Sequence, residues 1–285
     1  MIWLTLYFLL FNKLYANETK EKELDPLFEG WYKQDFQKCA QPLTKLEDYG
    51  CLSYFWNYEL VNMELLHDDP PIIIYRDLIR KTDINAFIAN IRDEQRKIKS
   101  NLKALHRATE LTFEHRAVLG AARTFEKISR YIPFIDFTIS DPWQVLVFDE
   151  GAHLAPRHEY INVLSEDDKL RYKFGNRFAT FTIALQKAME GGEYLFSSMS
   201  RKYIMEAGDA MLWTSMDEFG GKEYKTMHGD CPVRGGEKIT ATLRLRAKGQ
   251  FFPMFAAAFG YYDFAMLVRP NVKYLGMTPI DDWWK

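Results

Sequence analysis

No stretch of this chain is apolar for long enough to cross a bilayer as a helix. The N-terminal run, Ile2 to Phe11, is about half the ~20 residues a span requires. Charge of either sign is not in excess, with 37 Lys and Arg against 39 Asp and Glu and a net charge of −2. The basic residues are scattered, so no cationic stripe exists to grip a phosphate backbone, and nucleic acid is not an expected partner. Repeats and low-complexity segments are absent too, which argues against a solenoid or a disordered tail. Cysteine is scarce: only Cys39, Cys51 and Cys231 occur.

What is present describes a globular protein. In 285 residues, 47% are apolar and 27% charged, enough to bury one large core or two small ones. The run Ile2–Phe11 reads as the apolar centre of a secretory signal, with residues 1–16 as signal peptide and cleavage after Ala16. Asn17-Glu18-Thr19 follows as a glycosylation sequon at Asn17. Together they imply the secretory pathway: the endoplasmic reticulum lumen or the exterior. In that compartment Cys39 and Cys51 are close enough in sequence to close a short loop, a bridge that would stabilise by roughly 3 kcal/mol. Cys231 is then odd, either a buried thiol packing as a small apolar residue or half of an intermolecular bridge.

Residues 17–70 form an N-terminal lead-in segment, charged and then aromatic, that ends at the turn signal Asp68-Asp69-Pro70-Pro71. Ile72 to Tyr75 is β-branched and suits a buried strand. Ile84, Phe87, Ile88 and Ile91 fall on one face of a helix that Thr82 or Asp83 can cap. Its charged continuation to Asn101 reads as a solvated face. A second amphipathic stretch runs from Val118 to Ile132 and stops at Pro133. From Trp143 onward the texture changes to short apolar runs: Val145–Phe148, Phe178–Leu185, Tyr194–Phe196, Ala210–Trp213 and Ile239–Leu245. Turn residues such as Gly191-Gly192 and Gly235-Gly236 separate them. The expected fold is α+β, a double-stranded β-helix or jelly roll covered by N-terminal helices. Its domain covers 71–250, with helices in 82–132 and the jelly roll in 143–250. The aromatic tail 251–285 is expected to pack back on the body, or to serve as an interaction surface.

Many landmarks occur in one order: Gln144-Val145, Pro156, Gly175-Asn176-Arg177-Phe178-Ala179-Thr180, Gly191-Gly192, Phe196, Gly208-Asp209-Ala210, His228, Cys231-Pro232-Val233 and Lys238. In these the chain resembles the catalytic domain of the prolyl 4-hydroxylase α subunits, iron- and 2-oxoglutarate-dependent dioxygenases. The resemblance implies Fe(II), 2-oxoglutarate and ascorbate as cofactors. It also implies proline-rich or collagen-like polypeptide as ligand, protein disulfide isomerase as a companion, and an N-terminal bridge matching Cys39 with Cys51. His228 falls in the slot of the distal iron-binding histidine. Lys238 falls in the slot of the lysine that pairs with the far carboxylate of 2-oxoglutarate.

The remaining slots differ. The family's Pro-His-x-Asp is here Pro156-Arg157-His158-Glu159. Arginine has no lone pair to offer a metal, and its fixed positive charge repels one. Glutamate for aspartate would only move the carboxylate by one methylene. Phe148 replaces a tyrosine that helps hold the cosubstrate, Tyr194 a small threonine near its far carboxylate, and Ile239 a tryptophan. In extended backbone Arg157 and Glu159 share a side while His158 looks away, so an Arg157–Glu159 ion pair is expected to fill the metal position. The sequence therefore points to a catalytically impaired relative that binds polypeptide or a partner subunit. The alternative is an active hydroxylase using His228 and Glu159 with His158 or His153 as its metal ligands.

Overall fold

The computed structural model describes residues 24, 30–44, 50–56, 58–97, 108–132, 134–162, 173–250, 264 and 267. The expected signal peptide, the Asn17 sequon and most of the tail lie outside the described residues. A short helix α1 (Lys33–Cys39) leads into a hairpin of β1 (Cys51–Trp56) and β2 (Glu59–Asp68), followed by β3 (Pro71–Arg76). Helix α2 (Lys81–Lys97), strand β4 (Thr109–Phe113) and helix α3 (Leu119–Tyr131) come next. The rest is β: β5 (Trp143–Phe148), β6 (Leu154–Arg157), β7 (Arg177–Gln186), β8 (Glu190–Gly191), β9 (Tyr194–Phe196) and β10 (Arg201–Tyr203). β11 (Ala210–Thr214), β12 (His228–Asp230), β13 (Val233–Gly235) and β14 (Lys238–Arg246) complete it.

Two antiparallel sheets face each other. The large one has the order β1-β2-β3-β11-β7-β14-β5-β4, and the small one β10-β9-β12-β6. This is the jelly roll that the run spacing implied. The lead-in segment does more than dock on it, since its β1 and β2 extend the large sheet by pairing onto β3.

Alternation along β14 divides the protein into its two halves. Ile239, Ala241, Leu243 and Leu245 face the main core, against Phe87 and Ile91 of α2 and Phe125 and Ile128 of α3. Thr240, Thr242 and Arg244 take the opposite face, between the sheets. β5 does the same, with Trp143, Val145 and Val147 in the main core and Gln144, Leu146 and Phe148 on the inner side. The helices cross closely because of Gly120: a Cβ there would lie 2.2 Å from the Phe87 Cα, and its N–H instead donates to Asn90 Oδ1 at 2.9 Å. Both helices fall where the periodicity placed them. Of the tail, Leu267 is fully buried in the main core and Phe264 stacks on Phe178 of β7.

The cysteine pairing differs from expectation. Cys39 is bonded to Cys231, 192 positions away, and Cys51 is an exposed free thiol. The physical reason is direction. Cys51 begins β1 at the outer edge of the large sheet, whereas α1 ends Cys39 over the small sheet, where Trp31, Leu195 and Cys231 form a buried cluster around it.

Candidate functional site

The site lies between the sheets. In the small sheet β12 sits between β9 and β6, with His228 opposite both Phe196 and Arg157. This register puts the His228 and Arg157 side chains on one face as direct cross-strand neighbours. The His228 ring is buried and meets Trp213 edge-on, with centroids 4.6 Å apart. Its Nδ1–H donates to the Thr226 carbonyl at 2.9 Å, which fixes the tautomer and leaves the Nε2 lone pair open. Burial pushes its pKa down, a shift that Glu159 and the Thr226 bond oppose and Arg157 reinforces.

Glu159 is the centre of the charge network. Arg157 Nε donates to its Oε1 at 3.1 Å, Arg177 Nη1 to its Oε2 at 3.3 Å, and Arg244 Nε also bonds Oε2. Gln144 Oε1 accepts from Arg244 and, at 3.5 Å, from Arg157. Arg177 continues to Asp141, which Arg246 also binds at 2.7 Å. Burial alone would raise the Glu159 carboxyl, but the charges of Arg244 and Arg157 with the Arg244 hydrogen bond outweigh it and bring the pKa down to about 2.

The histidines weighed as substitutes lie elsewhere. His158 turns toward the 222–224 loop, its ring edge-on to Tyr224. Burial, then the charge of Lys222, lowers its pKa to about 4. His153 Nδ1 accepts from Trp31 Nε1 at 2.9 Å. Among the described residues no group of three or more His, Cys, Asp and Glu side chains is placed to hold a metal ion. The donor set does not fit iron: one imidazole remains, the carboxylate accepts from three guanidiniums, and Arg157 supplies charge of the wrong sign.

Lys238 is equally committed. Its Nζ donates to Asp230 Oδ1 at 2.5 Å and to the Gly192 carbonyl at 2.6 Å. It lies 3.7 Å from the Tyr194 ring centroid and 5.3 Å from that of Phe148. Gly192 is needed here, because it has φ +70 and a Cβ on it would come within 3.1 Å of the Lys238 stem. Asp230 thus stands on the lysine as an internal carboxylate. Thr182 Oγ1 lies between Thr242 Oγ1 (2.8 Å) and the Tyr194 hydroxyl (3.5 Å).

Asp230, Arg244 and Asp141 were not singled out from the sequence. A signal existed for two of them. Arg244 continues the alternation Thr240, Thr242 on the inner face of a strand whose other residues are apolar, and Asp230 is two residues from His228 on the same face.

No family model matches the chain. Among curated proteins it is 23% identical over 201 residues to prolyl 4-hydroxylase subunit alpha-2 of Caenorhabditis elegans, a match covering 67% of this chain and 37% of that one. The chain is similar in sequence to part of the prolyl 4-hydroxylase α subunits. Human subunit alpha-3 is 31% identical over 111 residues, 38% of this chain and 20% of its own length. The chain therefore spans well under half of these relatives. Solved structures with a similar fold include a viral collagen prolyl hydroxylase from Paramecium Bursaria Chlorella virus-1 in its 2OG complex. It is 20% identical, with 62% of this chain and 96% of that one covered and a TM-score of 0.48. A Pseudomonas putida prolyl-4-hydroxylase is 13% identical, with 62% and 93% covered and a TM-score of 0.42.

The protein should lose stability on acidification in two stages. The unfolded chain protonates its histidines near pH 6.5, whereas His158 in the fold does so near 4 and His228 below its usual value, so stability falls as pH drops from 6.5 toward 4. Glu159, protonated near 4.3 when unfolded and about 2 when folded, adds a further loss between those values. Urea midpoints measured across pH 3 to 8 check both. The His158→Gln variant should flatten the upper window, and an unchanged slope there would contradict the assignment.

Proposed function

We propose that this chain is a prolyl 4-hydroxylase-like protein of the secretory pathway that binds polypeptide without oxidising it. One observation carries the reading: the Glu159 carboxylate is held by Arg157, Arg177 and Arg244 directly beside His228. Displacing three guanidiniums to admit a divalent cation would leave buried positive charges against it, a cost of several kcal/mol per ion. The Asp230–Lys238 pair supports the same conclusion for 2-oxoglutarate, since a second carboxylate at Lys238 would have to displace the first.

A polypeptide ligand finds support at the mouth. Tyr224 and Phe219 are exposed, and their loop is tied to the strand leaving the site by the His158–Tyr224 ring contact and the Tyr160 hydroxyl bond to the Gly220 carbonyl. Exposed aromatic rings suit proline-rich segments, which present preformed extended helices with little entropy to lose. The Cys39–Cys231 bridge fits an oxidising compartment.

Titration of the purified protein with Fe(II), and with Mn(II) as a redox-quiet probe, should show no site that depends on His228. Incubation with 2-oxoglutarate and a (Pro-Pro-Gly)-type peptide should yield no succinate, while a fluorescent form of the peptide binds. Micromolar metal binding abolished by His228→Ala, or succinate formation lost in that variant, would establish an active enzyme instead.

A further inference from the structure

We propose that the cleft at Arg157 is a carboxylate-binding site, for a ligand that carries an O–H or N–H donor on the carbon next to its carboxylate. The inference rests on the metal-free reading above and goes beyond it, since it assigns the cleft a ligand of the opposite charge.

Charge is the first argument. Glu159 is one negative charge shared by three guanidiniums, and Asp141 is a second, shared by Arg177 and Arg246. Among the described residues this network therefore sets four guanidiniums, Arg157, Arg177, Arg244 and Arg246, against two carboxylates, and positive charge is in excess. Asp230 does not offset it, because Lys238 already does. Glu110 accepts from Gln144 at the exposed side of the network and pairs with no guanidinium among the described residues.

Position is the second. Arg244 and Glu159 are nearly closed off from solvent, with side-chain exposures of 11% and 5%, whereas Arg157 is 37% exposed and is the outermost cation of the cluster. Of its five N–H donors, Nε and one Nη2 hydrogen have partners among the described residues, Glu159 and Gln144. A guanidinium with an unused edge is suited to the two oxygens of a carboxylate.

The neighbour supplies the third. His228 is directly across from Arg157, and its Nε2 lone pair has no partner among the described residues. A neutral imidazole there repels a bare carboxylate slightly but accepts a proton donor beside it. A 2-hydroxy acid meets both requirements through its hydroxyl, and a peptide C-terminus meets them through its last amide N–H.

The test uses full-length protein freed of metal with EDTA and titrated calorimetrically with lactate against propionate, and with N-acetyl-glycylglycine against its C-terminal amide. Lactate should bind more tightly than propionate, or the free acid more tightly than the amide; which pair responds tells a small hydroxy acid from a polypeptide end. Binding should weaken with salt and fall about tenfold or more in Arg157→Gln, the loss of one charge-assisted contact. Arg234→Gln, at an exposed pair with Glu190, should change nothing. Should Arg157→Gln fail to fold, phenylglyoxal labelling of Arg157 in the wild-type protein decides, because ligand must protect it. Affinity unaltered in Arg157→Gln, no protection, or no binding of any of the four compounds overturns the site. With Mn(II) also failing to bind, that outcome removes this inference and leaves the metal-free reading standing.

Discussion

Glu159→Gln is expected to lower the unfolding free energy by roughly 3–5 kcal/mol, the cost of leaving buried charge without its partner. The carboxylate is the shared acceptor for Arg157, Arg177 and Arg244, and the last of these is itself almost wholly buried. A neutral amide keeps the shape and loses the charge. It also presents N–H groups to guanidiniums that can only donate. Arg157→Met should cost far less, since its side chain is partly solvated and a surface charge contributes little. The two effects together identify the interior pair, Glu159 with Arg244, as the structural part and Arg157 as the spare. Replacing both interior partners by apolar residues, as in Glu159→Leu with Arg244→Met, should recover most of the loss, because neither charge is then orphaned. Urea denaturation of the three variants at pH 7 measures this. A loss below about 1 kcal/mol for Glu159→Gln would mean that water already reaches the network and that the ion pairs do not close the site.

The fold was legible where periodicity alone decides it. α2 and α3 declare themselves through Ile84, Phe87 and Ile91 and through Phe125 and Ile128, because a single buried stripe is enough to identify a helix. The central strands β5, β7, β11 and β14 were equally plain as short apolar runs. β1 and β2 were harder to read. At the edge of the sheet, Phe55, Tyr58 and Leu60 are exposed while Tyr54, Val61 and Met63 are buried, so hydrophobicity there follows no clean alternation. In the site, Arg157, Glu159, His228 and Lys238 could be found by resemblance, but their partners could not. Arg244 and Asp230 belong to strands far from residue 157 in sequence, and only register places the one on Glu159 and the other on Lys238. Sequence order tells which residues alternate on a strand; it does not tell which strand comes to lie opposite.

Cysteine shows the same limit with the largest energetic consequence. The bridge Cys39–Cys231 closes a loop of 192 positions, for which chain entropy alone gives roughly 5 kcal/mol of stabilisation, against ~3 for the short loop that Cys39 and Cys51 would close. It pins α1 across the small sheet, where Lys202 Nζ donates to the Cys39 carbonyl at 2.8 Å, Lys38 Nζ to the Ser197 carbonyl at 2.7 Å, and Trp31 to His153. Cys231 lies one residue beyond Asp230 and three beyond His228, so the same bond braces the strand that carries the site. Cys39→Ser or Cys231→Ser should therefore cost several kcal/mol and weaken whatever the cleft binds, whereas Cys51→Ser should be close to neutral. Alkylation of the denatured, unreduced protein followed by peptide mass mapping should find Cys51 alone modified. Finding Cys231 labelled and Cys39 joined to Cys51 would return the pairing to the short loop and release α1 from the sheet.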